Sequence, residues 1–247
     1  MEELNKIKNR VVLPYVEMVV TTICNMRCTD CSNNIPKIQN KAKHISANDF
    51  LLQLSALIDV VDEIEKFQIH GGEALLNPEL HEIVKIASNE QSISKIRIAT
   101  NGTILLSPVL IDVLSHNRVV LSISSYWFNE KTRKRVIAQC DEARIPYILH
   151  GEQPWYSFSG QPSGDTNKYE ECPINKFLCY YDWRLYLCSR ICHSSDNKAH
   201  SIDVRDVSNL HKDLLDDRLK EWCKHCTICD KLVKAGVQNR DIESLIL

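Results

Sequence analysis

The sequence predicts an α/β fold, in which a parallel sheet curves into a truncated TIM-type barrel and a small cysteine-rich region with a β-hairpin follows. Three observations favour this fold. Strand and helix patterns alternate through residues 16–150, seven of the 11 cysteines lie after residue 170, and the chain has 247 residues. Because a complete eightfold barrel needs about 250 residues by itself, we expect a partial barrel at 1–150 and a linker with a second domain at 151–247.

About five parallel strands should alternate with four helices. The run VEMVVTTIC at 16–24 is apolar and β-branched, as in a buried parallel strand. Residues 48–65 repeat apolar side chains at helical spacing after two candidate caps, Ser46 and Asn48. By the same periodicity we predict strands at 67–70, 96–100, 119–124 and 146–150, and helices at 79–88, 108–114 and 130–143. Short links between such elements favour right-handed crossovers.

The regular alternation stops after residue 150. Residues 151–165 are rich in Gly, Pro and Ser, which is typical of a loop or a domain boundary. Beyond them, 177–181 and 185–190 are predicted to form a hairpin across Asp182 and Trp183, and 210–222 to form a short helix.

Composition disfavours several classes of partner. The chain has 30 basic and 32 acidic side chains, so bulk charge favours neither a nucleic-acid nor a membrane partner. The first residues contain no apolar core of a signal peptide and no apolar run of membrane-spanning length. We therefore expect a cytoplasmic, soluble protein.

The cysteines indicate metal or redox chemistry, because an odd number of thiols in a reducing compartment is not a disulfide framework. Cys24, Cys28 and Cys31 have the spacing C-x3-C-x2-C directly after the first predicted strand. Three thiolates leave one coordination position open on a tetrahedral ion or a four-iron cluster, which suits a catalyst. The structural alternative is a zinc site that His44 or a distant residue completes.

Two further motifs follow the next predicted strands. Gly71, Gly72 and Glu73 end the second strand, where paired glycines permit close backbone approach and the carboxylate can accept bonds from an ammonium group. Thr100 and Asn101 end the third strand and offer short polar groups to ribose hydroxyls. The carboxyl ends of parallel strands meet at one rim, where such folds place their active sites. His70 is interpreted as a hydrogen-bonded strand-end histidine.

With these motifs the sequence resembles the radical S-adenosylmethionine (radical SAM) enzymes over roughly residues 15–150. The resemblance implies that the first three cysteines hold a 4Fe-4S cluster, and that the GGE motif binds the methionine amino group of S-adenosyl-L-methionine. It also implies cofactor contacts from Thr100, Asn101 and position 123, which is Ile123. The cofactors would generate a 5'-deoxyadenosyl radical that abstracts hydrogen from the substrate. One departure is Asp30, where the family usually has an aromatic residue.

The C-terminal cysteines suggest a second, closed metal site, and spacing alone leaves zinc and an iron-sulfur cluster open. The candidate ligands are Cys172, Cys179, Cys188, Cys223, Cys226 and Cys229. Cys188 should lie on the returning hairpin strand, and Cys192 is interpreted as spare. The pattern is similar to the twitch domain, a short form of the SPASM extension, which implies an auxiliary 4Fe-4S cluster. Trp183 replaces the usual turn glycine.

The predicted substrate pocket contains aromatic and polar side chains, namely Tyr126, Trp127, His150, Glu152, Trp155 and Tyr156. Such a lining suits a small polar substrate, for example a sugar or nucleotide sugar. The chain resembles short twitch-containing dehydrogenases of an aminocyclitol and radical SAM proteins of polysaccharide pathways. This resemblance favours two-electron alcohol oxidation, with a low-potential donor such as flavodoxin or ferredoxin. Tyr126, His150 and Cys140 are the catalytic candidates, although the helical setting of Cys140 favours packing.

Three alternatives remain open from the sequence. The same parts suit an epimerase, in which a cysteine such as Cys140 returns hydrogen. They also suit a peptide-modifying enzyme, although only about fifteen residues precede the first strand, which is short for a leader-recognition domain. A non-catalytic zinc-binding interaction module requires every clustered cysteine to be structural and predicts zinc without iron.

Overall fold

The computed structural model describes residues 11–28, 31, 33–38, 43–115, 118–126, 128–151, 155–158, 177–193, 201–206, 228–233 and 238–239. The strands are β1 (Val12–Leu13), β2 (Val16–Thr21), β3 (Arg27–Cys28), β4 (Glu63–Gly71), β5 (Ile93–Thr100), β6 (Val119–Ser124), β7 (Tyr147–His150), β8 (Trp155–Phe158), β9 (Leu178–Tyr181), β10 (Arg184–Tyr186), β11 (Ser201–Asp203), β12 (Ile228–Val233) and β13 (Gln238–Asn239). The helices are α1 (Ile35–Ile38), α2 (Ala47–Ile58), α3 (Leu80–Asn89), α4 (Pro108–Leu114), α5 (Glu130–Ala143) and α6 (Ser189–Cys192).

The main sheet has nine strands in the order β11-β10-β9-β2-β4-β5-β6-β7, with β1 paired beside β4. The strands from β9 to β7 are parallel neighbours, and only the β9-β10-β11 part is antiparallel. The predicted alternation from β2 to β7 is therefore confirmed. The parallel part of the sheet has one strand more than the five that the sequence predicts, because β9 pairs in parallel with β2. Among the described strands the pairing path ends at β7 and β11 without closing.

The sheet buries apolar side chains against the helices on one face. Phe67 of β4 meets Phe50 of α2 edge to face, with ring centroids 6.2 Å apart. Ile69 and Ile98, on the same face, are fully buried in the core that α2 to α5 complete. Since side chains alternate along a strand, Gln68, His70 and their neighbours point to the opposite face.

Two element boundaries differ from the predictions. The helix expected at 48–65 ends at Ile58, and β4 begins at Glu63. Ile64 pairs with Ile93 of β5, and this tertiary pairing overrides the helical spacing of the segment. At the other end, Ser46 is confirmed as the cap, because its hydroxyl accepts a bond from the Asp49 amide (3.0 Å). The strand expected to reach Cys24 ends at Thr21.

The predicted hairpin forms, but its second strand is shorter. β9 and β10 are joined by Asp182 and Trp183, both with positive φ (51° and 66°). Two left-handed residues make the type I′ turn whose twist matches the strands, so the chain adopts this turn without glycine. β10 ends at Tyr186, and Arg190 lies in α6. Cys188 therefore precedes α6 instead of lying on the strand as predicted.

Some predictions fall outside the described residues: Asp30, Trp127, Glu152, Cys172, Cys223, Cys226 and the helix at 210–222. The domain boundary at residue 150 stays a prediction. Within the described part of the chain, no helix has both the length and the apolarity needed to cross a membrane.

Candidate active site

A cavity of about 420 Å³ lies at the carboxyl ends of the central strands. Cysteines 24, 28 and 31, the glycine pair 71–72 and the strand-end residues Thr100 and Asn101 all line it, as do Ser124, Tyr126 and Cys188. The three motifs predicted to share one rim are thus brought together, and the segment after β10 contributes to the same wall.

The three N-terminal cysteines reach the cavity from three short, consecutive segments of the chain. Cys24 follows β2, Cys28 ends β3 and Cys31 precedes α1. Burial is the main cause that raises the pKa of the Cys24 thiol to about 12, and it also raises that of Cys31. Metal binding must therefore displace protons from these thiols. Among the described residues, no three His, Cys, Asp or Glu side chains are grouped closely enough to hold a metal ion.

The glycine pair has a structural reason that the sequence reading did not give. A Cβ on Gly71 would lie 2.0 Å from the carbonyl oxygen of Thr21, and one on Gly72 would lie 2.2 Å from that of Ile23. The backbone amide of Gly72 donates to Thr21 (2.8 Å), and that of Glu73 donates to Ile23 (2.9 Å). The segment that the glycine pair closely approaches is therefore the backbone leading into Cys24. These contacts fix the start of the cysteine loop.

Glu73 joins two strand ends. Its Oε1 accepts a bond from the Leu75 amide (3.0 Å) and its Oε2 accepts one from the Asn101 amide (2.7 Å). Burial raises the pKa of this carboxyl to about 7, and the two backbone donors oppose that shift. Glu73 is not among the residues that line the cavity. Its predicted contact with an ammonium group stays a prediction beside this bracing role.

Asn101 connects the third strand end to the cysteine loop. Its Nδ2 donates to Asn25 Oδ1 (2.8 Å), and its Oδ1 accepts from the Thr103 hydroxyl (2.6 Å). Asn25 in turn donates to the Thr103 hydroxyl oxygen (2.8 Å). Thr100 Oγ1 accepts from the Gly102 amide (3.2 Å). Asn25, which the sequence analysis missed, therefore locks the loop between Cys24 and Cys28 onto the rim.

Position 123 does not fit the predicted cofactor contact. Ile123 is fully buried in the hydrophobic core and faces away from the cavity. The neighbouring Ser124 lines the cavity, because adjacent strand residues point to opposite faces.

Of the catalytic candidates, Tyr126 alone lines the cavity, and its ring stacks on Phe128 at 5.4 Å. His150 ends β7, with Nε2 hydrogen-bonded to the Ser122 hydroxyl (2.7 Å). Burial is the main cause that lowers the pKa of His150. Cys140 is fully buried in α5 within the hydrophobic core and is not part of the cavity wall.

The second cysteine group is only partly described. Cys188 lines the same cavity as Cys24, Cys28 and Cys31. Cys179 and Cys192 are fully buried and share a side-chain hydrogen bond, so Cys192 lies beside a candidate ligand instead of apart from it. Cys229 lies in β12, and the remaining candidate ligands are outside the described residues.

Three polar side chains that the sequence analysis did not name also line the cavity: Glu17 of β2, Gln68 of β4 and Asn33 before α1. His70 of β4 lies beside them in the lining. The available signal was Glu17 itself, a carboxylate inside an otherwise apolar strand. His70 lies at the end of β4 as predicted, but it is only half hydrogen-bonded. Its Nδ1 meets Asn33 Nδ2 at 3.4 Å, whereas the buried Nε2 has no hydrogen-bond partner among the described residues.

Solved structures of similar fold include BtrN in complex with AdoMet and 2-DOIA, with a TM-score of 0.57, 14% identity and 88% of each chain covered. Another is Streptococcus suis SuiB bound to S-adenosylmethionine, with a TM-score of 0.53, 12% identity, and 92% of this chain and 75% of SuiB covered. At these identities the likeness shows the fold alone.

Curated relatives match a shorter segment. A GTP 3',8-cyclase of Chlorobaculum tepidum is 35% identical over 91 residues, which cover 37% of this chain and 26% of the relative. That of Campylobacter jejuni subsp. doylei is 38% identical over 92 residues, or 37% and 28%. The match thus spans only about a quarter of the length of these relatives.

The family profile described as the radical SAM superfamily matches residues 18–145, just over half of the chain. This segment runs from β2 to the end of α5 and contains the three cysteines, the glycine pair and the polar strand ends that meet in the cavity. The chain belongs to the radical SAM superfamily.

Proposed function

We propose that the chain is a radical SAM oxidoreductase that oxidises an alcohol group of a small hydroxyl-bearing substrate by two electrons. The observation that carries the proposal is the shared cavity, in which three cysteines from the first loop and Cys188 from the second cysteine group form parts of one wall. An oxidant held at Cys188 would therefore lie beside the place where a substrate is activated.

The first loop fits the cofactors that the family implies. Cys24, Cys28 and Cys31 provide three thiolates, so one iron of a 4Fe-4S cluster stays open for S-adenosylmethionine. When bound, these groups supply the 5'-deoxyadenosyl radical that removes a hydrogen atom from carbon. The glycine pair and Asn25 hold the loop, while Thr100, Asn101 and Ser124 offer polar groups to the rest of the cofactor.

The second electron requires an acceptor. After a hydrogen atom leaves a carbinol carbon, one electron and the hydroxyl proton must also leave for a carbonyl to form. A second 4Fe-4S cluster, with Cys188 as one ligand, would take the electron, and the proton would pass to solvent. The likeness of fold to the BtrN complex with AdoMet and 2-DOIA supports a small-molecule substrate of this kind.

The epimerase alternative needs a hydrogen donor in the cavity. Cys140 is buried in the core of α5 and away from the cavity wall, so its position favours packing. The names of the curated relatives suggest GTP as another substrate class, and GTP therefore belongs in the substrate panel.

The proposal is tested with anaerobically reconstituted protein, a reductant and S-adenosylmethionine. We expect about eight irons per chain, as two four-iron clusters require. We expect Cys28→Ala to abolish formation of 5'-deoxyadenosine. Cys188→Ala should retain that cleavage but form less than about a tenth of the oxidised product, since only the electron acceptor is lost.

The substrates to compare are aminocyclitols, free sugars, nucleotide sugars and GTP, each deuterated at carbon, with deuterium in 5'-deoxyadenosine marking the attacked position. Cys140→Ala is the matched control and should keep both reactions. Loss of product with Cys140→Ala, or normal oxidation with Cys188→Ala, contradicts the proposed electron path. Zinc without iron contradicts the enzyme as a whole.

A further inference from the structure

The floor of the cavity carries a connected set of polar side chains from two neighbouring strands. Glu17 of β2 and Gln68 of β4 are register partners, so their side chains lie next to each other on the same face. Gln68 Nε2 donates to Glu17 Oε1 (2.9 Å), and Gln68 Oε1 accepts from the Tyr15 hydroxyl (2.6 Å). Both ends of the Gln68 amide are thus fixed, and Glu17 is held in place.

His70 lies two residues beyond Gln68, on the same face. Asn33 Nδ2 donates to the carbonyl oxygen of Gly71 (3.1 Å), which fixes the orientation of its amide. The same Nδ2 faces His70 Nδ1 at 3.4 Å, so Nδ1 must be the acceptor. In the neutral ring the proton is then on Nε2, and His70 presents an N–H donor.

This donor has no hydrogen-bond acceptor among the described residues. His70 Nε2 is buried and lies 3.7 Å from Glu17 Oε2, which is beyond hydrogen-bond distance. Asn33 Oδ1 is likewise buried without a hydrogen-bond partner. The two residues are 5% and 8% exposed, and both line the cavity. Buried polar atoms without partners destabilise the ligand-free protein, so a ligand that pairs with them gains affinity.

The unpaired atoms select the kind of ligand. Two atoms without a partner among the described residues, the donor His70 Nε2–H and the acceptor Asn33 Oδ1, belong to neighbouring side chains. The Glu17 carboxyl lies beside them and already bonds to Gln68 and Ser189. A phosphate or carboxylate only accepts hydrogen bonds and would leave Asn33 Oδ1 without a donor, whereas an ammonium group only donates and would leave His70 Nε2–H without an acceptor. A hydroxyl group both donates and accepts. One hydroxyl would therefore pair with both atoms, and a neighbouring hydroxyl or amine would lie against the Glu17 carboxyl.

We propose that His70, Glu17 and Asn33 form a subsite for adjacent hydroxyl groups, so that the substrate is a polyol or an aminopolyol held against β2 and β4. This inference names the substrate class of the proposed oxidoreductase and therefore rests on that function. The three residues are positioning groups, and none of them takes part in the redox step.

The test measures binding by calorimetry, using anaerobic holoprotein with S-adenosylmethionine and no reductant. The probes are 2-deoxy-scyllo-inosamine, myo-inositol and cyclohexylamine, of which only the last lacks hydroxyl groups. We expect at least one polyol to bind about tenfold more tightly than cyclohexylamine. His70→Phe should weaken polyol binding about threefold to tenfold, as the loss of one hydrogen bond predicts.

Three variants make the result specific. His70→Gln keeps an N–H donor and should restore affinity to within about twofold of the wild type. Glu17→Gln keeps the shape of the side chain and should weaken polyol binding even if His70→Phe does not fold. His81→Phe, on the partly exposed surface of α3, is the matched control and should leave binding unchanged.

The inference is overturned if neither polyol binds, if cyclohexylamine binds equally well, or if Glu17→Gln and His70→Phe match the control. Because no reductant is present, these results do not depend on radical chemistry. Polyol binding without oxidation would contradict the proposed function alone, and oxidation of a polyol that His70→Phe and Glu17→Gln leave unchanged would contradict the subsite alone.

Discussion

The same strands give the main sheet two unlike faces. In β4, Phe67 and Ile69 are fully buried against helices, whereas Gln68 and His70 between and after them line the cavity. In β2, Val16 and Met18 are buried, and Glu17 between them faces the cavity. On the apolar face, the side chains are packed in the core of the protein. The cavity face leaves the His70 Nε2 atom without a partner among the described residues. Along a single strand, therefore, alternate residues serve stability on one face and are available for binding on the other.

A change at the junction of the two faces should have the largest effect. Gly72→Ala places a Cβ about 2.2 Å from the Ile23 carbonyl, a contact that only backbone movement can relieve. We expect the free energy of unfolding to fall by more than about 3 kcal/mol, with loss of the first cluster, as measured by urea unfolding and iron content. Gly151→Ala, where no atom of the described residues lies within 4 Å of the added Cβ, is the control. Full iron content in Gly72→Ala would show that the junction tolerates movement.

Neighbouring substitutions in β4 test the separation directly. Ile69→Ala creates a cavity in the core and should cost about 2–5 kcal/mol of unfolding free energy, while polyol affinity in the folded protein stays unchanged. Gln68→Ala removes the residue that holds Glu17 and should cost less than about 1.5 kcal/mol, while polyol affinity falls. Urea unfolding and calorimetric binding of both variants give the result. If both variants lose unfolding free energy and polyol affinity in equal proportion, the two faces of β4 do not have separate roles.

The rim between the faces depends on Asn129. Its Nδ2 donates to the carbonyl oxygens of Asn101 (2.6 Å) and Ser124 (3.0 Å), and its Oδ1 accepts from the Tyr126 amide (3.0 Å). Asn129→Ala should cost about 1–3 kcal/mol, because it leaves buried backbone groups unpaired. Thermal unfolding against Asn89→Ala, an exposed asparagine at the end of α3, measures this cost. Equal melting temperatures for the two variants would show that the hydrogen bonds of Asn129 do not stabilise the rim.

The smallest effect is expected far from both faces. Arg184 and Arg205 pair with Asp203, at 3.1 Å and 2.6 Å, and bonding to Arg205 is the main cause that lowers the pKa of Asp203 to about 2. The folded-state pKa lies below the unfolded one, so this stabilisation is present at neutral pH and lost as the pH falls from about 4 towards 2. Asp203→Asn should cost less than about 1 kcal/mol at pH 7. A larger loss in urea unfolding would show that the hairpin contributes more than a surface ion pair does.

The sequence predicted the elements that local patterns encode. The α3, α4 and α5 helices and the β5, β6 and β7 strands follow apolar periodicity, and each forms within a few residues of the predicted bounds. The pattern failed at 59–65, where pairing of β4 with β5 outweighs helical spacing. The partner of β2 was not predictable, because the choice of β9 depends on contacts more than 150 residues apart.

The sequence likewise predicted one part of the candidate site and not the other. Cysteine spacing and strand-end motifs predicted which residues share the rim, because parallel strands end at one edge. Spacing did not predict that the glycines meet the β2 backbone, or that Glu73 braces two strands, since both depend on distances between segments. Glu17 was missed, and the place of His70 in the cavity wall was not predicted, because both depend on the sheet face on which the side chain lies.

The parallel pairing of β9 with β2 has a consequence for any attempt to isolate the catalytic half of the chain. Val16 to Met18 find hydrogen-bond partners in Leu178 to Tyr180, so β2 is an interior strand. A fragment that stops at residue 150 would leave this apolar strand with an open edge, ready to pair with another molecule. Such a fragment would tend to aggregate even though it contains all three cysteines of the first loop.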